Sequence, residues 1–81
     1  MTDLAREREQ LALANRHVAE EEARVAAQKL VVARFSSVGQ DTSLAADMLR
    51  ILEDGLLKAR RHREIILQTM LGLTAKAPKP S

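Results

Sequence analysis

A large aliphatic residue followed by alanine recurs at strict seven-residue spacing through the first half of the chain: Leu4-Ala5, Leu11-Ala12, Val18-Ala19, Val25-Ala26 and Val32-Ala33. That period keeps one stripe on one side of a continuous α-helix. The positions three residues on are Glu7, Ala14, Glu21, Gln28 and Phe35, so the seam is narrow and mixed rather than a leucine zipper. No glycine or proline interrupts the stretch between Thr2 and Ser37. A first helix over about 2–37 is predicted.

The pattern breaks at "SSVGQDTS", residues 36–43. Gly39 suits the left-handed position that ends a helix. Asp41 or Thr42 can cap the next helix, a side-chain oxygen accepting from a free backbone N–H. A turn of about 38–41 is too short for anything but a chain that doubles back. The second helix is predicted over about 42–73, with a flexible, Pro-containing tail, "TAKAPKPS", at 74–81. Along this helix Ala45, Leu49, Leu52, Leu56, Ala59, Ile66, Met70 and Leu73 follow steps of three and four, with Arg63 as the gap. An adjacent stripe holds Leu44, Met48, Ile51 and Ile65. Two stripes side by side make an apolar face broader than one partner helix covers.

The expected fold is therefore all-α, an antiparallel two-helix hairpin of coiled-coil type. A pivot at Gly39-Gln40 places Phe35 level with Leu44 and Ala45, Val32 with Met48, and Gln28 with Ile51 and Leu52. Glu20, Glu21 and Glu22 fall beside Lys58, Ala59, Arg60 and Arg61, acid against base. Gly55, at a helical cost of about 1 kcal/mol relative to Ala, falls level with Arg24 and Val25, and close approach of the two helices is its expected reason.

Eighty-one residues make one small domain that buries little of its own surface. Disulfides, metals or self-association are the usual remedies. The chain has no cysteine, which removes disulfides, thiolate metal sites and cysteine nucleophiles. Phe35 is the single aromatic residue, so there is no platform on which bases could stack. Helix association is left, and the expected assembly is a homodimer of two hairpins forming a four-helix bundle, or a higher homo-oligomer. The residues expected to carry it are Leu49, Leu52, Leu56, Ile66, Met70 and Leu73. The longest apolar stretch, "IILQTMLGL", is far shorter than the ~20 residues that span a bilayer. With no apolar leader in "MTDLARERE", a cytoplasmic protein is expected.

Residues 16–67 carry a second kind of signal. Arg16-His17-Val18-Ala19-Glu20, Gln28, Gly39-Gln40-Asp41-Thr42, Leu49-Arg50-Ile51-Leu52-Glu53 and His62-Arg63 together resemble the pattern of a group of short alphaproteobacterial proteins. The resemblance implies a helical hairpin and brings no established activity with it.

Two clusters compete for a functional reading. His17 and His62 come level in the hairpin, with Glu20 and Glu21 one turn beyond His17. A metal site needs three or four converging ligands, and Arg61 and Arg63 beside His62 oppose a cation, so a structural role is expected and no metal or cofactor. The run "KARRHR" presents Lys58, Arg60, Arg61, His62 and Arg63 as a polar, basic face. From Lys58 onward there are six Lys or Arg against one Glu, a patch that could attract phosphate backbones. Residues 1–41 hold six basic and seven acidic groups, however, and the whole chain is only +2. The run therefore reads first as a solvated, partly paired rim. With no phosphate loop and no nucleophile beside a base, the chain is not expected to be an enzyme. A protein-interaction scaffold or small regulator acting as a homo-oligomer, with a further unidentified protein partner, is the leading expectation. Nucleic-acid binding through Lys58–Arg63 is the alternative.

Overall fold

The computed structural model describes residues 2–75 and forms two antiparallel helices, α1 (Asp3–Ser37) and α2 (Ser43–Ala75). The chain is all-α with the hairpin topology, and it makes a rod of 69 × 18 × 14 Å. Helix α2 continues through Thr74 and Ala75, two residues past its expected end. The rest of the expected tail, 76–81, lies outside the described residues.

Each helix end near the start and the turn has an identifiable partner for its free backbone groups. Thr2 caps α1: its hydroxyl accepts from the Ala5 N–H at 3.1 Å, while Asp3 places negative charge in the first turn. At the other end Gly39 takes φ +72°, the left-handed conformation that glycine adopts without a β-carbon clash. The Gln40 N–H donates to the Phe35 carbonyl at 2.9 Å and the Gly39 N–H to that of Ser36 at 3.1 Å. These two bonds form a Schellman closure. Asp41 opens α2, its carboxylate accepting from the Ser43 hydroxyl at 2.6 Å and from the Ser43 N–H at 2.9 Å. Those bonds, the hydroxyl's first, hold the Asp41 carboxyl below its ordinary value of 3.8. The Thr42 carbonyl accepts the first helical bond, from Ala46.

The seam runs where the two seven-residue patterns meet. Ala14, Val18 and Val25 of α1 are buried against Ala45, Leu56, Ala59 and Ile66 of α2. Leu49 and Leu52 pack on the cluster of Val18, Val25, Leu56 and Ala59. Arg63, the gap in the pattern, lies partly buried in line with them.

The level of the two helices differs from a symmetric fold-back at Gly39-Gln40. Gln28 does not stop beside Ile51 and Leu52; its carboxamide donates to the Ala45 carbonyl at 2.9 Å. Gly55 lies beside Glu21, whose Oε2 would be 3.4 Å from a β-carbon placed there, rather than beside Arg24 and Val25. Geometry of the turn explains the offset. Residues 40–42 are not helical, and extended chain advances about 3.3 Å per residue against about 1.5 Å in a helix. The descending side of the turn therefore covers more axial distance than residue counting allows. The expected reason for Gly55 is also corrected: what lies nearest is the end of a flexible carboxylate, not a backbone.

Candidate interaction faces

The seam divides the rest of the surface into two flanks. Glu22 follows the seam residue Glu21, Arg60 follows the seam residue Ala59, and the two side chains pair at 3.3 Å. Residues that follow a seam position therefore share one side in both helices, here called the ion-pair flank. Residues that precede a seam position share the other side, which carries His17 and His62.

The ion-pair flank holds the alanines of the α1 repeat and a mixture of charges from α2. A shallow groove of about 220 Å³ opens on it, lined by Glu22, Val25, Ala26, Lys29, Leu56 and Arg60. Its two cations and one carboxylate, with Arg60 already held by Glu22, balance much of its charge internally. Of the large hydrophobic residues, Leu57 and Leu71 are exposed on this side.

The histidine flank is different in kind. Leu13, Val31, Leu44, Met48, Ile51 and Ile65 all precede seam positions, and all six are exposed. Leu44 is 80% exposed and Ile51 66%. They form an apolar group near the turn (Val31, Leu44, Met48, Ile51) and a smaller one towards the open end (Leu13, Ile65). Between them lie Glu20, Arg24, Lys58 and the two histidines, all exposed.

The residues expected to drive self-association occupy a different place. Leu56 is 8% exposed and Ile66 5%, both taken up by α1. Leu49, Leu52, Met70 and Leu73 are partly buried along the same seam. The apolar surface left exposed belongs instead to the neighbouring stripe. That stripe was visible in the sequence, but the order of the two could be told only by asking which one continues the Leu/Val-Ala pattern across the turn.

The basic run is dispersed. Lys58 pairs with Asp54 at 3.3 Å on its own helix, Arg60 reaches across to Glu22, and Arg63 is partly buried at a seam position. Arg61 and His62 are exposed. Of the acidic triplet, Glu21 pairs with Arg24 at 2.7 Å within α1, so acid and base meet across the hairpin at Glu22 and Arg60. His17 and His62 are both exposed. Among the described residues no group of three or more His, Asp or Glu side chains is arranged to hold a metal ion, and no helix is long and apolar enough to cross a membrane.

Nothing matches this chain among protein-family models, curated proteins or solved structures.

Proposed function

We propose that the protein is a non-catalytic helical interaction module that works as a homo-oligomer, in the cytoplasm, as a scaffold or small regulator. One observation carries this reading: the hairpin leaves too much apolar surface in water. Six large hydrophobic side chains of one flank stand exposed, Leu44, Ile51 and Ile65 the most, and a stable dimer interface removes about 800 Å² from each partner. The apolar composition of the histidine flank supplies the driving force, since burial is worth about 25 cal/mol per Å² of apolar surface. The absence of cysteine agrees with a reducing compartment. Membership of the short alphaproteobacterial hairpin group belongs to the same proposal and rests on the motif residues of 16–67.

The alternative, nucleic-acid binding through Lys58–Arg63, loses support from the cross-helix pairing of Arg60 with Glu22 and the partly buried position of Arg63. Absolute mass by light scattering behind size exclusion, over a wide concentration range at physiological salt, tests the main reading. A stable multiple of 9.0 kDa is expected, and a monomer at every concentration overturns it.

A further inference from the structure

The geometry points to a specific docking mode for the second copy: histidine flank against histidine flank, the two-fold axis parallel to the helices, both turns at the same end. The inference rests on the homo-oligomer reading and adds to it the face, the orientation and the residues that meet.

The choice of face follows from the distribution of exposed apolar side chains. The histidine flank carries Leu13, Val31, Leu44, Met48, Ile51 and Ile65, against Leu57 and Leu71 on the ion-pair flank. Two helices of this length, about 50 Å at 1.5 Å per residue and about 10 Å wide each, present a face of roughly 1,000 Å². That exceeds the ~800 Å² per partner of a standard interface.

Orientation follows from charge. If the copies ran in opposite directions, each helix would lie on its own counterpart, with like residues meeting near the middle of the rod. Glu20 would face the partner's Glu20, and Lys58 the partner's Lys58. Like charges in contact are unfavourable. With both turns at one end, α1 lies over the partner's α2 at the same level. Glu20, which takes no ion pair among the described residues, then meets the partner's Lys58. The Lys58–Asp54 pair is exposed and weak enough to yield. Apolar contacts do not choose between the two orientations, since Leu13 meets the partner's Ile65 and Val31 the partner's Met48 here, while Ile51 meets the partner's Ile65 in the other, so charge decides. The result is a four-helix bundle whose neighbouring helices all run antiparallel.

A cysteine-free chain permits a direct test. Full-length Leu13→Cys and Ile65→Cys proteins are mixed, unfolded and refolded together, then oxidised. A Leu13→Cys/Ile65→Cys disulfide should dominate. A mixture of Ile51→Cys with Ile65→Cys, which meet only in the opposite orientation, should give little; the reverse yields overturn the orientation. The face is tested by mass: Ile51→Glu should halve the dimer mass to 9.0 kDa with helicity retained, while Leu71→Glu should leave it unchanged. A dimer that survives Ile51→Glu but is lost with Leu71→Glu refutes the face and leaves the homo-oligomer reading standing. An unmodified protein that stays monomeric refutes both, and if that monomer sediments with anionic vesicles through Ile51, the face belongs to lipid. Should Ile51→Glu lose helicity, the cysteine yields alone decide the matter.

Discussion

Leu56 and Leu44 are the same side chain on the same helix, yet one is 8% and the other 80% exposed. The difference is where each falls relative to α1. Leu56 lies opposite the valines of the seven-residue repeat, and Leu44 lies one step outside that line. Helix α2 is apolar over a wider arc than α1 can cover, because α1 spends alternate seam positions on Glu7, Glu21 and Gln28. One stripe thus closes the fold and the other is left exposed. A buried stripe of this composition bears on folding, and the exposed one bears on the association proposed above.

The largest effect should come from breaking the inner stripe. Leu56→Ala removes a buried side chain and should cost about 2–5 kcal/mol, read as a fall in thermal midpoint by circular dichroism. Leu44→Ala in dilute protein should change hairpin stability by less than about 0.5 kcal/mol. Equal losses at the two positions would mean that the outer stripe is packed within the hairpin itself.

Gly55 sharpens the comparison from the opposite direction. It sits on the histidine flank, and a β-carbon there meets Glu21 Oε2 at 3.4 Å, an ordinary contact with a movable atom. Gly55→Ala should therefore stabilise the isolated hairpin by about 0.5–1 kcal/mol. Loss of stability on denaturant titration would show that the helices come closer at this level than the carboxylate suggests.

Much of this was legible before any coordinates. The step pattern from Ala45 to Leu73 and the Leu/Val-Ala repeat name the seam residue by residue, because a helix in contact with one neighbour must repeat its apolar positions at 3.5-residue spacing. Gly39 announced its left-handed turn for an equally local reason. The relative level of the helices was not legible, since it depends on how far the residues after Gly39 descend, and a bond such as Gln28 to Ala45 follows from that descent. Nor could charges alone choose partners: Glu21 takes Arg24 on its own helix, and Glu22 takes Arg60 across the hairpin.

That cross-helix pair marks the ion-pair flank, and its contribution should be small. Both groups are about half exposed, at 50% and 52%, so solvent screening limits the coupling to about 0.2–1 kcal/mol. A double-mutant cycle with Glu22→Gln and Arg60→Gln should return a value in that range, falling as salt is raised. Coupling that is insensitive to salt would show that the flank is covered in the assembled protein, and the docking face would then have to be reassigned.

The smallest effect concerns the turn that joins the two stripes. The Ser43 hydroxyl and N–H bind the charged form of Asp41 and lower its pKa from the ordinary 3.8. The unfolded chain therefore takes up this proton more readily than the folded one as acid is added. The carboxylate's contribution to stability is complete above the unfolded value and is lost as the pH falls through the lower, folded one. Asp41→Asn keeps an acceptor oxygen but removes the charge. Its thermal midpoint should lie below that of the unmodified protein at neutral pH, and the two should converge in acid below the ordinary carboxylate range. Taking the difference between the two proteins cancels the titration of the glutamates, which both share. A gap that persists into strong acid would mean that Asp41 acts at the start of α2 through shape rather than charge.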